Sequence, residues 1–251
     1  MQSIVFFDSG VGGLTVLKDA MRILPNESYV YYSDGENNPY GIKSSDEIKL
    51  LVTDAVKFIT DAVDLKALVL ACNTATSVVV HELRQNYEFP IIGMEPAVKP
   101  AAELCDKSRI LVCATERTLR EEKLERLISG LMIQDRITKL SLQGLVSYAE
   151  SGIFYDDSVM NYLNEKFKNF EWDKYTAVVL GCTHFIYFKE QISFLIPDEV
   201  KVLDGNWGTV QRLKQLIVEN KEVGATALKF YESKNPRSLN TIKPYLDYLE
   251  I

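Results

Sequence analysis

The residues of this chain best suited to moving protons are its four cysteines and two histidines. Cys72, Cys105, Cys113 and Cys182 contain no C-x-x-C pair, so their spacing suits neither a zinc site nor a disulfide framework. Two of them share a context. ALVLACNTATS (67–77) and AVVLGCTHF (177–185) each carry an apolar run that ends on a thiol and is followed by hydroxyl or amide side chains. A lone free cysteine reads most simply as a small buried hydrophobe, and that reading is kept for Cys105 and Cys113. For Cys72 and Cys182 the repetition favours chemistry. Two thiols facing each other across a cleft can remove a proton from one face of a carbon and return one to the other, which is what a racemase needs. An ordinary thiol, with a pKa of about 8.5, is mostly protonated near neutrality, so each sulfur needs help. His184, two residues after Cys182, can exchange a proton with it. Asp8 beside Cys72 would oppose its ionisation by like-charge repulsion, leaving it to accept or orient a proton, and a substrate ammonium could supply the missing positive charge. Simpler roles also exist: Asp8 could cap a helix, His184 could be an edge-of-core residue, and His81 reads as an ordinary helix position.

The elements that must place these groups are legible as an alternation. IVFFD, YVYYSD, ALVLAC, PIIGM, RILVCAT, ITKLSL, YTAVVLGC and VKVLDG have strand length and composition. Stretches of helical periodicity lie between several of them, such as Leu14, Leu17, Met21 and Leu24 on one face. Continuously apolar strands alternating with helices predict doubly wound α/β units with mostly parallel sheets. In such sheets ligands bind beyond the carboxyl ends of the strands, where FFDSGVGGL, LACNTATS and LGCTHF fall. The glycines of FFDSGVGGL suggest a tight turn whose amides suit a carboxylate or phosphate, but their spacing matches neither the dinucleotide fingerprint nor the P-loop. MEPAVKP (94–100) and LDGNWG (203–208) read as crossings between domains. They predict one domain of residues 1–95 plus 205–251, carrying Asp8 and Cys72, and a second of 96–204, carrying Cys182 and His184.

The bulk properties bound the function classes. With 251 residues, 47% hydrophobic and 25% charged, the chain has the profile of a soluble globular protein. No run is long and apolar enough for a membrane span or a secretory leader, so the expected location is cytoplasmic. A net charge of −7 argues against nucleic-acid or anionic-membrane partners and leaves a small molecule.

Taken together, FFDSGVGGLTVL, NPYG, ACNTATS, IIGMEPAVKPA, GCTHF and ALKFYESKNP resemble the glutamate racemases of the aspartate/glutamate racemase superfamily over most of the chain. The resemblance implies two α/β domains related by pseudo-two-fold symmetry with the active site in the cleft between them. It implies racemisation of L- and D-glutamate without cofactor or metal, supplying D-glutamate for peptidoglycan, and it makes a homodimer plausible. By position, Cys72 and Cys182 would be the acid/base pair, acting on D- and L-glutamate respectively. Asp8, Glu150 and His184 would assist proton transfer, while Asp8, Ser9, Tyr40, Gly41, Asn73, Thr74, Thr118, Thr183 and His184 would hold substrate. The chain departs from the family pattern at 34–38, where Asp-Gly-Glu-Asn-Asn replaces an arginine-bearing stretch, at 116–123 and at 204–209. The alternatives from the same residues are an aspartate racemase or other small-carboxylate isomerase, a non-catalytic amino-acid-binding protein, and a thiol redox protein.

Overall fold

A computed structural model of the chain describes residues 2–104, 107–221 and 227–251, so Cys105 lies outside the described residues. The strands are β1 (Ser3–Asp8), β2 (Ser28–Ser33), β3 (Leu65–Leu70), β4 (Ile91–Gly93), β5 (Arg109–Ala114), β6 (Ile137–Ser141), β7 (Tyr175–Leu180), β8 (Lys201–Asp204), β9 (Leu228–Glu232) and β10 (Asn235–Arg237). They form two sheets, ordered β10-β9-β2-β1-β3-β4 and β6-β5-β7-β8. Every pairing is parallel except that of β10 with β9.

The quartets β2-β1-β3-β4 and β6-β5-β7-β8 repeat one strand order. The repetition extends to detail. The register slips at the first residue of both central pairs, between Ser3 and Ile4 and between Arg109 and Ile110. Beyond the ladders, Ala71 N donates to Phe7 O at 2.8 Å and Gly181 N to Cys113 O at 2.7 Å. Cys72 and Cys182 thus follow equivalent strand ends, and Thr115 occupies in the second sheet the place of Ser9 in the first.

Alternation along each strand sends successive side chains to opposite faces, and helices cover both. Val5, Phe7, Leu68 and Leu70 pack under the helices Ser45–Ala62 and Asn73–Asn86. Ile110, Val112, Ala177 and Val179 pack against Val98, Leu124 and Ile128. The remaining faces, with Ile4, Phe6, Leu111 and Val178, share one continuous core that also takes Leu14 and Leu17. Cys113 is fully buried in that core, so its expected role as a small hydrophobe agrees with its surroundings. The two segments by which the chain passes between sheets touch each other. A methyl group on Gly205 would lie 2.3 Å from Glu95 O, and Thr209 Oγ1 donates to Met94 Sδ at 3.2 Å.

Two strands were not anticipated from sequence. LKFYE is short and charged, and its hairpin turns on Ser233 and Lys234, both at positive φ (43° and 72°), without the Asn-Gly signal that marks such turns. This hairpin braces the loop after β2, since Ser233 Oγ donates to Asp34 Oδ1 at 3.1 Å and accepts from Glu36 N at the same distance. Among the described residues no helix is long and apolar enough to cross a membrane.

Candidate active site

The two thiols sit in the wall of one cavity at the carboxyl ends of β3 and β7. Ser9, Asn38, Pro39, Tyr40, Gly41, Cys72, Asn73, Thr74, Thr115, Val146, Cys182 and His184 line it. The room left for a water's centre is about 10 Å³, so the cleft is nearly shut. A second, largely apolar recess of about 260 Å³ shares Asn73 with it and is bounded also by Met94, Pro96, Thr118 and Leu124.

Cys72 caps the helix Asn73–Asn86, its sulfur accepting from Ala75 N at 3.4 Å and donating to Ser9 Oγ at 3.7 Å. The helix terminus and Ser9 favour the thiolate. Burial, reinforced by the Asp8 carboxylate, outweighs them and pushes the Cys72 thiol up to about 12. Cys182 has different company. A short 3-10 helix, Thr183–Phe188, follows it, and its sulfur lies 3.8 Å from His184 Nδ1. The other ring nitrogen, Nε2, is 2.5 Å from Glu150 Oε1. Burial by itself would neutralise His184 and Glu150. The Cys182 sulfur and then the bond and charge of Glu150 prevail over burial and hold the histidine well above its ordinary value, while the bond and charge of His184 hold the carboxyl below its own.

The glycine turn after β1 gives two of its amides to the protein's own carboxylates. Gly10 N donates to Asp8 Oδ1 and Val11 N to Glu150 Oε1, each at 2.9 Å. The carboxylates that turn accommodates are the protein's own. Its glycines instead permit close approach across the cleft: a methyl at Gly10 would lie 1.8 Å from Glu150 Oε1, and one at Gly12 2.4 Å from both His184 Nδ1 and Thr183 Oγ1. Asp8 does not cap the following helix, whose cap is Gly13. Its other oxygen accepts from Thr183 Oγ1 at 3.1 Å, and burial, offset in part by His184, raises its carboxyl pKa.

The sequence-derived residues therefore fall into two layers. Ser9, Tyr40, Gly41, Cys72, Asn73, Thr74, Cys182 and His184 border the cavity. Asp8, Glu150, Thr118 and Thr183 stand behind them; Thr118 reaches the wall through Thr74 (3.2 Å) and Thr115 (3.1 Å). The reading missed Asn38, Pro39, Thr115 and Val146. Thr115 had a findable signal, because RILVCAT matches IVFFDS strand for strand, and Asn38 directly precedes the quoted Pro-Tyr-Gly turn; nothing marked Val146. Tyr40 OH donates to buried Asp34 Oδ2 at 2.5 Å, fixing that turn. Among the described residues no group of three or more His, Cys, Asp or Glu side chains is arranged to hold a metal.

Paired parallel sheets with a thiol at equivalent strand ends of each suit an isomerase that moves a proton between the two faces of a carbon, and comparison with known proteins places the chain among racemases. The family model for Asp/Glu/Hydantoin racemases matches residues 15–213, and the chain belongs to that family. Glutamate racemase of Halothermothrix orenii is 44% identical over 251 residues, covering 98% of each chain. The crystal structure of Campylobacter jejuni glutamate racemase superposes with a TM-score of 0.84 at 29% identity, covering 100% of this chain and 99% of that one. The Escherichia coli enzyme, solved with L-glutamate and an activator, gives 0.82 at 28% identity, covering 100% and 95%.

Proposed function

We propose that this protein is a cofactor-independent glutamate racemase in which Cys72 and Cys182 are the two bases. The observation that carries the reading is the pair of buried thiols in one cavity wall, each with its own proton partner. With the α-carbon between the sulfurs, one thiolate takes the α-proton and the opposite thiol returns one to the other face. In the L-to-D direction Cys182 abstracts and Cys72 donates; the reverse direction exchanges the roles. A Cys72 thiol at about 12 suits donation. To act as base near pH 7 it must shift by about 5 units, equivalent to about 7 kcal/mol. The substrate ammonium, brought close in a cavity that excludes water, is the group that offsets Asp8 and supplies much of this. Ionisation of Cys72 is thus coupled to binding.

Because the cleft is nearly shut, substrate entry requires its halves to part. The bodies that move are residues 1–95 with 205–251 and residues 96–204, with the touching segments around Glu95 and Gly205 as pivot. The same reading makes the protein a cytoplasmic source of D-glutamate for peptidoglycan and a homodimer, the latter checked by sedimentation. Incubation in deuterium oxide with each enantiomer of glutamate and of aspartate tests the reaction. α-Deuteration and inversion of glutamate support the assignment; exchange with aspartate but not glutamate overturns it.

A further inference from the structure

We infer that Asn38 is a positioning residue for this reaction: its amide nitrogen holds Glu150 against His184 across the closed cleft, and its amide oxygen receives the substrate's α-ammonium. The inference rests on glutamate being the substrate and goes beyond it to how the amino group is recognised.

Asn38 belongs to the loop after β2, on the first sheet, whereas Glu150 ends the helix Gly144–Glu150 that follows β6, on the second. The Glu150 carboxylate is bonded by His184 Nε2 from its own side of the cleft and by Val11 N from the other, and the Asn38 amide nitrogen stands beside it: a methyl on Gly10 would lie 1.8 Å from Glu150 Oε1 and 2.7 Å from Asn38 Nδ2. Parting the halves takes both Val11 N and the Asn38 amide away from the carboxylate. Closure of the cleft and the state of the Glu150–His184 pair are thereby linked through groups that the first sheet carries.

The orientation of the amide follows from its partner. An ionised carboxylate only accepts hydrogen bonds, so Asn38 meets it with Nδ2 and must turn Oδ1 away. That oxygen is buried and has no hydrogen-bond partner among the described residues, while the side chain borders the cavity holding both thiols. A buried acceptor without a donor is unfavourable until a donor arrives. Around it the wall is rich in groups that donate to carboxylates: the hydroxyls of Ser9, Thr74 and Thr115 and the amide of Asn73. The Asp8 carboxylate is already engaged by Gly10 N and Thr183 Oγ1. Asn38 Oδ1 is a buried acceptor without a donor in the lining of the cavity, and the ammonium is the part of glutamate that needs one. The sequence departure at 34–38 bears on this recognition, because it places an amide at the position before Pro39.

The test separates the amino group from the carboxylates. Glutarate is the same dicarboxylate without the ammonium, and its inhibition constant is measured beside the KM of each glutamate enantiomer for wild type, Asn38→Leu and Asn38→Asp. Asn38→Leu, similar in shape, should raise KM for glutamate about tenfold or more and leave glutarate inhibition within about twofold. Asn38→Asp keeps an acceptor but sets a carboxylate against Glu150. It should hold KM near wild type, lower kcat and move the acid limb of the kcat profile to higher pH. The groups that also face Glu150 are Asp8, His184, Tyr31, Tyr187 and Tyr245, and all are unchanged in these variants. Equal weakening of glutarate and glutamate, an unchanged glutamate KM in Asn38→Leu, or an unmoved profile in Asn38→Asp overturns the inference while wild-type racemisation stands. A wild type inactive on glutamate overturns the parent reading instead.

Discussion

Gly10→Ala is the smallest change that should disrupt the candidate site, and its cost can be worked from the geometry. The added methyl would lie 1.8 Å from Glu150 Oε1, 2.6 Å from its Cδ and 2.7 Å from Asn38 Nδ2. To restore a contact of about 3.4 Å the carboxylate must retreat by about 1.6 Å. Its bonds to His184 (2.5 Å) and Val11 N (2.9 Å) then pass out of hydrogen-bonding range. Separating a buried charge from its partner costs about 3–5 kcal/mol, and the 26% exposure of the Glu150 side chain lets water recover part of that. A loss of about 3 kcal/mol is expected, with a fall of about a hundredfold or more in racemisation if the pair assists proton transfer. The decisive measurement is a double-mutant cycle by urea denaturation. Glu150→Ala removes the obstacle, so adding Gly10→Ala to it should cost under about 1 kcal/mol, a coupling of about 2 kcal/mol. Gly208→Ala, on a helix with open space around the position, is the control and should stabilise by about 0.5–1 kcal/mol. Additive Gly10 and Glu150 effects would show that the contact does not set the cost.

Cys72→Ser and Cys182→Ser should each reduce racemisation by at least about a thousandfold while leaving the circular dichroism spectrum unchanged; full activity in either refutes the two-base assignment. His184 holds its proton more tightly folded than unfolded, so its contribution to stability is complete below about pH 6.5 and is lost as pH rises through the elevated folded value. Melting temperatures of wild type should therefore fall on the alkaline side, and His184→Gln should lack that part of the slope. Tyr40→Phe leaves the buried Asp34 oxygen without its 2.5 Å donor, which should destabilise by about 1–3 kcal/mol and raise KM more than it lowers kcat. Lys234→Gly relieves a residue at φ 72° at the expense of an exposed ion pair with Asp54, and should raise the urea midpoint by about 0.4–1 kcal/mol of stability.

What was legible in the sequence was whatever a local pattern could carry. The central strands announced themselves because both faces of each sheet are buried there, leaving continuous apolar runs, whereas the edge strands ITKLS and KVLD, only partly buried, were read from their β-branched and apolar residues. The thiols stood out because polar residues follow them abruptly. The hairpin β9–β10 was hidden because Ser233 and Lys234 adopt left-handed backbone without the residues that normally signal it. The glycine turn was legible only in part, for a different reason. Sequence shows that amides are available at Gly10 and Val11 but not that Asp8 and Glu150 take them, one of these lying 139 residues away from its donor. Asn38 was passed over for the same cause: its significance lies in a carboxylate that only the fold brings to it.

The repeated frame explains why the chemistry is divided as it is. One strand order, used twice, places Cys72 and Cys182 at equivalent points and brings two thiols to one cavity. What differs is the company each keeps. Ala114 stands in the second sheet where Asp8 stands in the first, and Thr74 stands two residues after Cys72 where His184 stands two after Cys182. Cys72 therefore has a buried carboxylate nearby and keeps its proton, whereas Cys182 has an imidazole within reach to carry one. Two identical half-sites would hold two identical thiols, whereas the surroundings of these two differ. The asymmetry in the second layer, with Asp8 behind one sulfur and the Glu150–His184 pair behind the other, gives the two thiols of a duplicated scaffold different proton partners. Exchanging these partners, with Asp8→Ala and Ala114→Asp combined, should alter the balance of forward and reverse kcat more than their common magnitude. An unchanged balance would show that the second layer only supports the fold.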